Sequence, residues 1–150
     1  MLDLIMGGNV FTPAERSYLK GQRLARLATV ARDGIVQNSP VGFFVNDELK
    51  TVDIWGRRMG RTKKFANVAN YPRVALVIDD LASVNPWIAR GIEIRGVAEP
   101  LSDLEPPMPY YSREVIRIHP HKIITWGLED GGAYTSRVVD ASPKAMGASA

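Results

Sequence analysis

Between Gln22 and Trp55 the chain twice reverses from one apolar run to the next across a polar turn, and that pattern restricts it to antiparallel β structure. Leu24, Arg26, Ala28 and Val30 alternate with Ala25, Leu27 and Thr29, giving a strand with little polar content on either face. Asp33-Gly34 is a strong hairpin signal, because these residues accept the backbone angles a tight turn requires. Val36 to Val45 reads as the return strand, Asn46-Asp47-Glu48 as a second turn and Leu49 to Trp55 as a third strand. Three strands joined by short turns predict an antiparallel meander.

Two helices flank this pattern. Thr12-Pro13-Ala14-Glu15 carries a capping box with proline at the first helical position, and Gly21 marks the end; Tyr18 and Leu19 are expected to pack this helix over one end of a barrel. Thr62 can cap a second helix running to about Ala69, with Phe65, Val68 and Ala69 as its buried face. Asn70-Tyr71-Pro72 ends it. Val74 to Ile78 is continuously apolar and reads as a central strand, followed by a loop from Asp79 to Pro86. In Arg90 to Glu99, Ile92, Ile94 and Val97 alternate with Glu93 and Arg95, and Gly96 reads as a bulge. Leu101 to Pro109 is a proline-rich loop. Glu114 to Ile118 and Lys122 to Gly127 read as strands divided by His119-Pro120-His121, with Tyr134 to Val139 as an edge strand.

These elements predict a mainly β fold with minor helix: a six- to seven-stranded, closed or partly closed antiparallel barrel over residues 11–140, after a loose leader (1–10) and before a small, polar tail (141–150). A dimer is expected, because it covers exposed strand edges. With no cysteine, disulfides, iron–sulfur clusters and thiolate zinc sites are excluded. No apolar run approaches the length of a membrane span, and a cytoplasmic location is expected. The net charge of +3 is too mild to argue for nucleic acid.

Charge distribution is more informative than its sum. Arg57, Arg58, Arg61, Lys63 and Lys64 crowd into eight residues with no acid among them, between Gly56 and a helix start. A helix N-terminus offers unpaired N–H groups and partial positive charge, arginine adds a bidentate fork, and Gly56 and Gly60 let a ligand approach the backbone. The segment is an anion site without the residue order of a Walker loop; the competing reading is a solvated basic loop.

Gln37-Asn38-Ser39-Pro40-Val41-Gly42-Phe43, the segment from Gly56 to Asn67, and Asn70 to Asp79 resemble the pyridoxamine-phosphate-oxidase-like split-barrel superfamily. Leu27-Ala28-Thr29-Val30 before Asp33-Gly34, Pro86-Trp87, Arg90 to Gly96, Arg117-Ile118-His119-Pro120 and Trp126-Gly127 resemble its branch that uses the deazaflavin coenzyme F420, in the subgroup with a reductase of tetracycline biosynthesis. The likeness runs in order over residues 11–139. It implies an FMN-binding-type split barrel, a homodimer, and an F420-dependent oxidoreductase that passes a hydride to an electron-poor C=C bond in a conjugated small molecule.

The same resemblance implies the site. Thr62 and Lys64 match residues that hold the cofactor phosphate; Arg57, Arg58 and Arg61 meet the phosphate or the oligoglutamate tail. Gln37, Asn38, Ser39, Pro40 and Val41 match the strand along which the tricyclic ring lies, Ile54, Trp55 and Gly56 the adjacent strand end, and Trp87 an aromatic closing over the ring from a second subunit. Trp55 and Trp87 also read as dimer-core aromatics. No catalytic residue is identified; Tyr110, Tyr111 or water are candidate proton sources. FMN is the alternative cofactor, since both share the phosphate anchor, and a binding or storage protein without turnover is the alternative function. His119 and His121 are expected to point the same way on a strand, but no third metal ligand is evident. They are also the only candidates for an axial haem ligand. Arg90, Glu93 and Arg95 read as an interface salt-bridge set rather than as catalytic groups.

Overall fold

A computed structural model describes residues 10–129 and 132–139; the expected leader, apart from Val10, and the expected tail lie outside the described residues. Helix α1 (Pro13–Lys20) begins at the capping box of Thr12 and Glu15 and closes at Gly21. Tyr18 and Leu19 are buried, as the pattern required. Strands β1 (Leu24–Val30) and β2 (Val36–Gly42) form a hairpin around Gly34, whose φ of 88° is open to glycine without strain. Strands β3 (Phe44–Asn46) and β4 (Thr51–Trp55) form a second hairpin.

The expected meander does not form, and Val36 to Val45 is not one strand. With β5 (Arg73–Ser83), β6 (Ile88–Leu101), β7 (Val115–Trp126) and β8 (Tyr134–Val138), the sheet runs β2-β1-β5-β6-β7-β4-β3, and β8 pairs with β7. Thus β2 and β3, separated only by Phe43, stand at opposite ends of the order. One residue can span that gap only if the sheet curls until its ends approach, and β2 does contact β4. Pro40 has no N–H to give to a second neighbour and suits the terminal position of β2. The fold is therefore a curled antiparallel half-barrel of eight strands, rather than six or seven.

Two further expectations are corrected. Asp79 to Leu81 continue β5 rather than starting a loop: they pair with Gly91, Arg90 and Ala89, and Asp80 takes a bidentate bond from Arg90 at 2.7 and 2.9 Å. His119-Pro120-His121 does not divide two strands. β7 is continuous, but its register against β6 jumps from Arg95↔Lys122 to Gly96↔Pro120, leaving His121 as the extra residue of a bulge. The bulge at Gly96 is thus located, but the inserted residue belongs to the partner strand. The outer edge of β7 changes partner here: β4 pairs with Val115 to Ile118, β8 with Lys122 to Trp126. Consequently the histidines diverge, His119 buried against Glu99 and His121 exposed.

Inside the curl, Ala25, Leu27, Val52, Ile54, Leu76, Ile78, Ile92, Ile94, Ile116, Ile118 and Ile123 form the core. On β6 the inward alternation runs through Ala98, not Val97. Helix α2 (Lys63–Asn70) packs against β1 and β6. Its buried face is Asn67 and Val68 with Phe65 partly covered; Ala69 is exposed. No helix among the described residues is long and apolar enough to cross a membrane.

Candidate functional site

The turn from β4 into α2 is rigid for identifiable reasons. Met59, 1% exposed, drives a short 3-10 turn (Met59–Arg61) into the core. Ser112 clamps the turn from the β6–β7 loop: its N–H donates to Gly56 O at 2.8 Å, its hydroxyl donates to Gly56 O at 3.1 Å, and Met59 N–H donates to its Oγ at 3.0 Å. Thr62 caps α2, accepting from Phe65 N–H at 3.2 Å and donating to Met59 O at 2.7 Å. A phosphate contact by Thr62 therefore requires its hydroxyl to leave Met59. The N–H groups of Lys63 and Lys64 have no acceptor among the described residues.

Beside this turn lies an open hollow of about 620 Å³, lined by Arg57, Arg58, Gly60, Arg61, Phe65, Ser102, Ser112 and Glu114. None of the five clustered cations forms an ion pair among the described residues. The structure does add an acid that the local sequence hid: Glu114, from fifty-four residues away, accepts from Gly60 N–H at 3.1 Å. Arg57 lies 5.0 Å over the Tyr110 ring. Tyr110 packs on Tyr111 at 4.7 Å, and burial first, then Tyr110, pushes the Tyr111 phenol above its ordinary pKa of 10.0, so it stays protonated at neutral pH.

The expected ring strand meets this site through one residue. Gln37 Oε1 accepts from Asn67 Nδ2 at 2.9 Å, and the same amide group donates to Thr29 Oγ1 at 3.0 Å. Along β2, Gln37 and Ser39 are half-buried while Asn38 and Pro40 face outward. Val41 and Ile54 are 6% and 0% exposed, so their side chains belong to the core and only their backbone is available to a ligand. Trp55 is half-buried and lines a separate hollow with Phe44 and Arg117. Trp87 is 71% exposed in the turn between β5 and β6, roughly 30 Å along β5 from α2 at strand rise. Within one chain it does not join the basic hollow. Arg90 and Arg95 pair with Asp80 and Glu93.

Local pattern missed Asn67 and Glu114. An asparagine on the otherwise apolar side of α2 was the available signal for the first. Nothing near Glu114 announced the second, because its partner is a backbone N–H in a distant turn.

Comparison with known proteins is consistent with this geometry. The family described as pyridoxamine 5'-phosphate oxidase matches residues 11–127. A curated relative, the 5a,11a-dehydrotetracycline/5a,11a-dehydrooxytetracycline reductase of Streptomyces rimosus, is 44% identical over 120 residues, covering 79% of this chain and 84% of the relative. Among solved structures, an F420 reductase superposes with a TM-score of 0.56 at 22% identity, over 72% of this chain and 94% of the other. A haem-binding protein from Mycobacterium smegmatis superposes at 0.66 and 17% identity, over 88% of this chain, which spans only 61% of that protein. An FAD-binding protein from the same organism gives 0.54 at 24% identity, covering 77% and 92%. At these identities the structural likenesses establish the fold alone.

Proposed function

The chain belongs to the pyridoxamine 5'-phosphate oxidase family, and on that premise we propose that it is a coenzyme F420-dependent reductase acting on an electron-poor C=C bond of a planar conjugated substrate, with a dehydrotetracycline-type polyketide as the concrete candidate. The reductase among its relatives supports an oxidoreductase. The observation that carries the cofactor reading is the set of five cations without ion-pair partners among the described residues, three of them lining the hollow at the start of α2. That donor set fits a phosphate with a carboxylate-bearing arm better than it fits any neutral ligand.

Arg57, Arg58 and Arg61 grip the anionic arm from the hollow, and Lys64 with the free N–H groups of the first helical turn holds its phosphate. Gln37, kept in place by Asn67, and the outward residues Asn38 and Pro40 border the ring along β2, opposite the backbone of Ile54 to Gly56. A bound deazaflavin supplies the hydride in its reduced form; the protein supplies position, charge and exclusion of water. Two copies assemble as a homodimer, and Trp87 from one reaches the site of the other.

Titration of the purified chain with F420 and, separately, with FMN tests this reading. The expected result is a saturable difference spectrum with F420 and oxidation of its reduced form by a conjugated enone under anaerobic conditions. Tight FMN binding with no affinity for F420 overturns the cofactor. F420 binding with no acceptor able to oxidise the reduced form overturns catalysis in favour of storage.

A further inference from the structure

A second hollow, of about 550 Å³, is lined by Phe44, Trp55, Pro107 and Arg117 among others. Trp55 lines this hollow, whereas Arg57, two residues on, lines the basic one. A row of contacts between rings links one lining to the other. Arg57 covers Tyr110, Tyr110 packs on Tyr111, and Tyr111 meets Phe44 edge-on with centroids 6.0 Å apart. The two linings are therefore connected, from Arg57 to Phe44, through consecutive aromatic contacts.

Arg117 is held from below. Its Nε and Nη2 donate to Asp53 at 3.1 and 3.0 Å, and Asp53, 4% exposed, also accepts from Thr51 at 2.8 Å and Asn46 at 3.1 Å. That leaves Nη1. It donates to no acceptor among the described residues and is not among the buried polar atoms without partners, so it remains open to a ligand in the hollow. A guanidinium fixed by a buried carboxylate keeps its free N–H edge aimed without further ordering.

We propose that this hollow seats the substrate, a planar conjugated carbonyl compound, with its rings against Phe44 and Trp55 and its carbonyl oxygen on Nη1 of Arg117. The proposal rests on the reductase reading above. When a conjugated carbonyl takes hydride at its β-carbon, the C=C electron pair moves toward the oxygen, and water later returns a proton to the α-carbon; the hydride with its electrons is that of the reduced coenzyme. Arg117 is the donor placed to meet the charge gathering on that oxygen. Charge also selects the substrate. Within this lining Asp53 is paired with Arg117, Asp47 with Arg16 and Glu105 with Arg113, so its charge is largely compensated and suits a neutral compound. The neighbouring hollow instead carries arginines without ion-pair partners among the described residues, which draws an anionic coenzyme arm there rather than to the substrate.

Equilibrium dialysis of the full chain, without coenzyme, against menadione and against methylnaphthalene tests this. Arg117→Gln is expected to weaken menadione binding about tenfold while leaving methylnaphthalene unchanged, because only the quinone offers an oxygen to the lost donor. Phe44→Ala is expected to weaken both about equally, by roughly fivefold, since it removes ring contact alone. Equal losses for both ligands in Arg117→Gln, or undiminished menadione binding in both variants, overturn the proposal. Should Arg117→Gln not fold by circular dichroism, Phe44→Ala decides alone, and unchanged menadione affinity overturns it. F420 titration in parallel separates the two readings: F420 binding without menadione binding sinks this inference only, and the reverse sinks the cofactor reading only.

Discussion

Asn67 joins three elements through one amide. Its Nδ2 reaches Thr29 on β1 and Gln37 on β2 while its backbone continues α2, so the helix that opens the basic hollow is registered against the strand expected to border the ring. The apolar spacing of α2 pointed to Phe65, Val68 and Ala69, and that rule failed at Ala69 because it weighs hydrophobicity and not available partners. Thr29 and Gln37 lie thirty-eight and thirty residues away, out of reach of any local pattern. Asn67→Leu leaves Thr29, 1% exposed, and Gln37 without their donor, and is expected to cost about 1–3 kcal/mol in urea unfolding. Lys64 behaves differently. It has no ion-pair partner among the described residues, so Lys64→Ala leaves the melting temperature unchanged while weakening F420 binding by more than ~1.5 kcal/mol, read by difference spectroscopy. An unchanged dissociation constant removes Lys64 from the phosphate site.

At the level of elements, the first helix, the Gly34 hairpin, the capped second helix and the edge strand β8 were legible, because each is written in contiguous residues: a capping box, an Asp-Gly turn, an alternation. The strand through Pro120 was not. Proline reads as an interruption, yet a bulge absorbs it by leaving His121 unpaired, and that accommodation depends on β6. Gly96 is the other half of the device. A Cβ there would stand 2.2 Å from His119 O, a backbone atom with no rotamer to yield. Gly96→Ala is therefore expected to destabilise by about 1–3 kcal/mol through forced backbone displacement. Gly42 is the matched control in β2, where an added Cβ meets nothing within 4 Å; Gly42→Ala is expected to be neutral or slightly stabilising, since it reduces the freedom of the unfolded chain. Equal melting temperatures for the two variants argue against a close approach at Gly96.

For the whole molecule, the order of strands was the least legible property, because the single residue Phe43 joins the two ends of the sheet and no propensity reports such a switch. The curl leaves an end that α1 must cover, and polar contacts fasten it there. Arg16 binds Asp47 after β3, Tyr18 donates to Asp80 on β5 at 2.9 Å, and Glu15 takes Arg137 of β8, tying the two ends of the described chain together. These contacts predict an acid response. Hydrogen bonds from Arg16 hold the Asp47 carboxyl below its ordinary 3.8, and those from Arg90 do the same for Asp80. A carboxylate whose folded pKa is depressed contributes stability that is fully present above the unfolded value and disappears as pH falls through the folded one. Melting temperature is therefore expected to drop as pH is lowered from about 5 toward 3, with α1 losing amide protection before the β5–β7 sheet. Asp47 is half-exposed, so its share is small and Asp80 carries more of the effect. The double variant Asp47→Asn, Asp80→Asn cannot release this linkage, and its melting temperature should fall less steeply over the same interval; parallel slopes for wild type and variant would mean that the acid sensitivity resides elsewhere in the barrel.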